Sequence, residues 1–406
     1  MSDWPTVRLG DVTGLLAGYP FPSAKFTDNP TDPRLLRGDN VGQGALRWEG
    51  AKRWPARKTD GLDDYWLRRD DVILAMDRPW IEAGLKFAAV RDGDLPSLLV
   101  QRVSRIRGTS RLDSRFLKHV IASRSFTHYI LSVQTGTTVP HISATQILDF
   151  KFRLPPIEEQ RRIAAILGAF DDKIELNRRT TQTLEATARA LFGRWFLSAE
   201  TSGEWPIEPL AAHLEVIRGL SYKGDGLAST GVPLHNLNSV YEGGGYKPDG
   251  IKWYSGPYAE RHTVEPGDVI VTNTEQGHDR MLIGHAALVP GSFGRLGLFS
   301  HHLYRVRPRP GSVLSRSFVA YLLNSRAIHD LVSGYSNGTT VQMLPVEALQ
   351  QPAIRIPPAS LIRRFDALAT ISHQRQEIAR GEAQALAMLR DALLPRLLSG
   401  PIRETA

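Results

Sequence analysis

The sequence predicts an α+β protein made of two copies of one unit, each a globular part followed by a long helix. An internal repeat, a change of hydrophobic period and a seven-residue apolar grid carry that reading. Gly136-Thr137-Thr138-Val139, Leu154-Pro155-Pro156, Arg161-Arg162, Leu184, Ala190-Leu191 and Arg194 form one series. It recurs 202 positions later as Gly338-Thr339-Thr340-Val341, Ile356-Pro357-Pro358, Arg363-Arg364, Leu386, Ala392-Leu393 and Arg396. Trp4-Pro5, Leu9 and Gly18 likewise return 201 positions later as Trp205-Pro206, Leu210 and Gly219.

The repeat sets four segments. Residues 1–153 mix short apolar runs, such as Val72-Ile73-Leu74-Ala75 and Leu98-Leu99-Val100, with glycine and proline turns, and two helices are expected near 114–123 and 143–148. Residues 154–200 read as a helix. Residues 201–355 repeat the first globular plan, with Asp268-Val269-Ile270-Val271 answering Asp71-Val72-Ile73-Leu74, and residues 356–406 read as a second helix. The offset drifts inside the globular parts and recovers in the helices, because loops tolerate length changes that packed helices do not.

Pro155-Pro156 supplies the start of the first helix, with Glu158-Glu159 suiting its dipole. Apolar or small residues then fall on two series, Ile163, Phe170, Asn177, Leu184, Leu191 and Leu167, Ile174, Thr181, Ala188, Trp195. That spacing predicts a coiled-coil seam roughly 60 Å long at 1.5 Å per residue. The second copy gives Phe365, Ser372, Ala379, Leu386 and Leu393, with Pro395 expected to stop it. One seam needs a partner, so two long antiparallel coiled-coil helices are expected to join the globular parts. Asn177 either fixes the register of the seam or faces solvent.

Composition narrows the function. A formal charge of +8 and a pI near 9.7 favour a polyanionic partner, although a solvated basic surface fits as well. The absence of cysteine removes disulfides, thiolate zinc sites and a thiol nucleophile. No signal pattern or long apolar stretch is present, so a cytoplasmic protein with no membrane partner is expected. A duplicated reader on a rigid spacer suits double-stranded DNA.

Catalytic signatures are missing from the sequence. No Gly-x-x-x-x-Gly-Lys-Ser/Thr run occurs. Asp77-Arg78-Pro79-Trp80 approaches the Asp/Asn-Pro-Pro-aromatic motif of adenine methyltransferases, but Arg78 stands where the first proline belongs. The adjacent pair His301-His302, if on a strand, points to opposite faces and makes a poor metal pair. No catalytic and no metal residue is assigned.

At this point a family resemblance emerges. Leu154-Pro155-Pro156-Ile157-Glu158-Glu159-Gln160-Arg161-Arg162-Ile163, then Ile174-Glu175-Leu176-Asn177, Leu184-Glu185, Leu191-Phe192 and Trp195-Phe196, closely resembles the central conserved region of type I restriction-modification specificity subunits. Leu389-Arg390-Asp391, Leu393-Leu394-Pro395 and Leu397-Leu398-Ser399-Gly400 resemble that family's C-terminal region. The globular parts resemble its target recognition domains, and the likeness spans essentially the whole chain. The second helix departs by lacking the asparagine and the Trp-Phe pair. The resemblance implies a non-catalytic subunit reading a split DNA target, one recognition domain per half-site. It implies two DNA adenine methyltransferase subunits on the helix pair and, optionally, two motor-nuclease subunits. S-adenosylmethionine, ATP and Mg would sit on those partners, with no cofactor on this chain. The alternative is a stand-alone DNA-binding regulator with two recognition domains.

Candidate DNA-binding residues follow from chemistry and repeat position. Thr137, Thr138, Thr339 and Thr340 either give hydroxyls and helix-start amides to phosphate or simply cap a glycine turn. Arg78, Trp80 and Lys86 form a basic-aromatic cluster that enters a groove or lies in an ordinary exposed loop. Asn273, Gln276 and Arg280 occupy the equivalent place in the second copy, where different side chains suit a different half-site. For partner binding, Leu191, Phe192, Trp195 and Phe196 concentrate apolar bulk at one helix end, which marks a subunit interface or packing onto the following domain.

Overall fold

The computed structural model describes residues 4–136, 138–198, 203–276, 281–338 and 341–400. The chain divides into two compact units, one of residues 1–175 with 383–406 and one of residues 176–382. Each holds α and β structure together.

The first unit is built on a five-stranded sheet in the order Thr13–Ala17, Val103–Gly108, Val72–Ala75, Phe87–Ala89, Gln43–Gly44. All its pairings are antiparallel except the last. Val72–Ala75 is buried on both faces, so it reads as a continuous apolar run. Val72 and Leu74 face one core with Leu9, Ile106, Phe116 and Phe126, while Ile73 and Ala75 face another with Leu36, Val90 and Leu99. Helices Ser114–Ile121, Arg124–Val133 and Ala144–Leu148 supply much of the first core. Asp113 caps the first by accepting from the amides of Arg115 and Phe116. The second was not expected from the sequence; Ser123 restarts the chain by accepting from the Phe126 amide. Ser143 and Gln146 form a capping box on the third.

The second unit carries a four-stranded antiparallel sheet, Leu214–Arg218, Leu303–Pro308, Val269–Thr272, Ala286–Leu288. A second sheet holds Leu227–Ala228, Lys252–Tyr254, Val232–His235, Gly297–Phe299 and Thr263–Val264. Helices Arg316–Leu323 and Arg326–Gly334 lie in the chain position of Ser114–Ile121 and Arg124–Val133. Asp71 and Asp268, at matching strand starts, each pair with an arginine of the neighbouring strand, Arg107 and Arg307. Such a repeated buried pair marks the same local design in both units.

Two long helices complete the units, Ile157–Phe192, followed by a wider π-type turn at Gly193–Leu197, and Ala359–Ser399. In the first unit, Ile163, Ala164 and Leu167 share a core with Leu394, flanked by Leu397 and Leu398. In the second, Phe192 packs on Phe365 at 5.3 Å, and Asn177 Nδ2 donates to Glu382 Oε2 at 2.9 Å. Those two segments therefore run in opposite directions. Asn177 is buried, so it does not face solvent. Pro395 does not stop the last helix, which continues to Ser399. A proline deletes one amide hydrogen bond, and here the apolar contacts of the final turns outweigh that loss. Among the described residues no helix is long and apolar enough to cross a membrane.

Candidate nucleic-acid interface

Three loops meet at one end of the first unit's sheet. They are the stretch after Val72–Ala75, the turn before Val103–Gly108, and the loop between Arg124–Val133 and Ala144–Leu148. Backbone bonds weld them together: Met76 N donates to Arg102 O at 2.9 Å, Ile142 N to Met76 O at 2.9 Å, and Arg78 N to Pro140 O at 2.6 Å. The loop is closed on itself by Thr135 N to His141 O at 2.9 Å and the reverse bond at 2.7 Å.

Arg78 is exposed and held at φ +44°. Trp80 is 39% exposed on a short hairpin, where Trp80–Ile81 pairs with Gly84–Leu85. Lys86 is half-buried. Burial pushes its ammonium below the usual lysine range, with Asp39 and Asp77 opposing and Arg78 and Arg47 adding to the effect. The structure thus brings Arg78 and Lys86 into one electrostatic neighbourhood and adds Arg47, which the sequence reading missed. Thr138 is exposed. It does not begin a helix, because Ser143 caps the next one. Gly136, at φ +91°, turns so tightly that a Cβ would meet Val139 O at 2.5 Å, and Gly338, at φ +131°, repeats the constraint with Val341 O at 2.0 Å. The glycine of the repeated motif is therefore demanded by the turn. Thr137, Thr339, Thr340 and Arg280 lie outside the described residues.

The second unit repeats the loop set with other side chains. Asn273 N donates to His302 O at 3.0 Å, and Leu344 N to Asn273 O at 2.8 Å. Asn337 and Met343 exchange bonds as Thr135 and His141 do, at 2.9 and 2.7 Å. Thr274–Gln276 pairs with Val341–Met343, so Gln276 has its backbone in a strand. Asn273 is not a groove contact: it is 1% exposed, and its Nδ2 donates to His301 O at 3.0 Å. Its amide satisfies a turn carbonyl instead. His301 and His302 lie in a turn rather than on a strand, so their rings pack together at 3.9 Å instead of opposing faces. Nearby are Arg218, whose Nε donates to His301 O at 3.3 Å, and Tyr222, at 6.4 Å from the His301 ring.

Two contacts at matching positions escaped the sequence reading. Asp77 Oδ2 forms an ion pair with Arg102 Nη1 at 3.0 Å, and Thr274 Oγ1 bonds His302 Nδ1 at 2.9 Å. Carrying the repeat through the strand starts Val103 and Leu303 would have aligned Arg102 with His302.

The proposed partner patch lies elsewhere. Phe192 and Phe196 are buried in the second unit's core against Phe318 and Phe365. Leu191 and Trp195 are half-buried, with Arg364 over the indole at 5.1 Å. Packing within the unit consumes the aromatic bulk, which corrects the expectation of an exposed patch there. The exposed apolar residues of the last helix are instead Leu368, Ile371, Ile378, Met388 and Leu389.

The two units thus keep the same loops in the same register while changing the side chains upon them. Residues 1–186 match the family described as the type I restriction modification DNA specificity domain. The type I restriction enzyme MjaVIII specificity subunit of Methanocaldococcus jannaschii is 30% identical over 47% of this chain and 44% of its own length. The EcoAI specificity subunit of Escherichia coli is 36% identical over 39% of this chain and 27% of its own. The chain thus matches less than half the length of these two relatives. A crystal structure of a type I restriction-modification system S subunit from M. genitalium shares the fold, with a TM-score of 0.61 at 14% identity, covering 98% of this chain and 97% of that one. Residues 1–186 thus carry the specificity-domain likeness, and the sequence relatives named here are themselves type I restriction enzyme specificity subunits.

Proposed function

We propose that this chain is the non-catalytic sequence-specificity subunit of a type I restriction-modification complex. It reads a bipartite double-stranded DNA target, with one recognition domain per half-site. Two long antiparallel coiled-coil helices join those domains and carry two DNA adenine methyltransferase subunits, with two motor-nuclease subunits as optional partners. S-adenosylmethionine, ATP and Mg belong to those partners. The repeated loop set supports this reading best: Asp77 and Arg102 in one unit answer Thr274 and His302 in the other. Different donors and acceptors at equivalent positions are what two different base sequences require. Docking on the helices is supported by Ile371 and Ile378, seven positions apart on one helix face and 58% and 63% exposed.

The test is a genome-wide map of N6-methyladenine in the source cell with and without this gene. Loss of one two-part motif on deletion is the expected result. An unchanged map in cells that express the protein would overturn the reading in favour of a stand-alone DNA binder.

A further inference from the structure

We propose that Arg102 and His302 are the specificity-determining side chains of the two half-sites, each held in place by the residue that bonds it, Asp77 and Thr274. The proposal rests on the DNA-reading function above.

The argument begins with backbone strain. Arg102 sits at φ +66°, a region where any side chain but glycine is disfavoured, yet it is an arginine with 70% of its side chain exposed. An exposed turn gains nothing in packing from that choice. The side chain is therefore there for what it reaches. Asp77 pairs with it, since Oδ2 lies 3.0 Å from Nη1 in an ion pair. The other oxygen, Oδ1, lies 2.6 Å from His141 Nδ1. A carboxylate only accepts, so that nitrogen carries its hydrogen. Asp77 thus ties all three loops into one polar cluster. A guanidinium drawn to one carboxylate is restrained in position and still has N–H groups to spare, which is what reading O6 and N7 of guanine requires.

The second unit presents another chemistry at the same place. The bond to Thr274 engages His302 Nδ1, so Nε2 alone is left for a base. Burial, helped by His301, Arg218 and Lys252, lowers the His302 pKa and keeps the ring neutral at pH 7. One unit therefore offers a charged fork and the other a single nitrogen. That difference lets one scaffold select two different bases.

Methylation motifs mapped in cells carrying Arg102→Gly, His302→Ala and Asp77→Asn test this. Arg102→Gly relaxes the left-handed backbone, so it removes the side chain without straining the turn. It is expected to abolish a tenfold or larger base preference at one position of one half-site, about the worth of one arginine contact. His302→Ala is expected to do the same in the other half-site only. Asp77→Asn, a positioning change, should weaken discrimination at the Arg102 position, whereas a merely structural role would lower methylation at all sites alike. Should a variant methylate nothing, purified complex is titrated with the wild-type duplex and its single-base substitutes. A narrowed ratio between right and wrong base supports the proposal, and an equal fold-loss on every duplex overturns it. An unmoved motif with both Arg102→Gly and His302→Ala also overturns it. If deleting the gene leaves methylation unchanged, it is the function itself that fails; if deletion erases the motif but the substitutions do not move it, only this inference fails.

Discussion

Arg390 Nη1 donates to Asp171 Oδ1 at 2.7 Å, joining the last helix to the central one inside the first unit. Asp171 is almost fully buried and also binds Lys118, so one carboxylate ties three helices. Removing one partner of a buried pair strands the others. Asp171→Ala should cost about 3 kcal/mol in chemical denaturation near pH 7. Burial alone would raise the Asp171 pKa, but Lys118 and Arg390 together drive it below the ordinary 3.8. A depressed carboxylate stabilises above its unfolded pKa. The contribution is therefore complete above pH 4 or so and is lost as pH falls through the lower folded value.

His119 adds an acid sensitivity of its own. Burial first, then the Lys118 and Arg390 charges against Asp171, lower its pKa to about 3 from 6.5. The unfolded chain takes up a proton below pH 6.5 and the folded unit does not. Stability from this site is full above 6.5 and declines toward pH 3, by up to about 1.4 kcal/mol per pH unit. In denaturation measured across pH 4–6, His119→Leu should flatten that slope; an unchanged slope would count against the neutral buried ring.

Phe192 and Ile378 should separate core from surface. Phe192, 2% exposed, touches Phe196, Phe318, Tyr321 and Phe365, so Phe192→Ala should cost about 3–5 kcal/mol. Ile378→Asp should change stability by less than about 0.5 kcal/mol. It should nonetheless weaken capture of methyltransferase subunits in a pull-down, because it puts a charge on the proposed docking face.

Lys86 belongs to the proposed interface as a cation without base-reading geometry. In the purified complex, Lys86→Ala should weaken all duplexes alike and reduce the slope of log affinity against log salt by about 1. Salt titration of fluorescence anisotropy measures this directly.

Local periodic signals were readable from the chain. Ile163, Leu167, Asn177, Ala188, Phe365, Ser372 and Ala379 are buried along the two long helices, as a seven-residue grid requires. The buried run Val72–Ala75 and its counterpart Val269–Thr272 were legible for the same reason, since their pattern is contiguous. What escaped is non-local. Asp77 meets His141 across 64 residues, and no pattern at either position announces the contact. Phe192 was left between a subunit interface and the following globular part because amphipathic spacing does not name the partner, and here the partner is the globular part. Pro395 looked like a stop because propensity counts the lost hydrogen bond and not the packing of Leu394, Leu397 and Leu398.

The contribution of Leu394 to the first unit sets an order of assembly. During synthesis, residues 1–175 leave the ribosome more than two hundred residues before the segment that finishes their core. The second unit takes its early helical segment from residues already made and is complete once Glu382 has emerged. The half translated first is thus the half that closes last. Its apolar groove around Ile163 and Leu167 stays open through most of translation, a window in which a nascent chain depends on slow collapse or a chaperone to stay single.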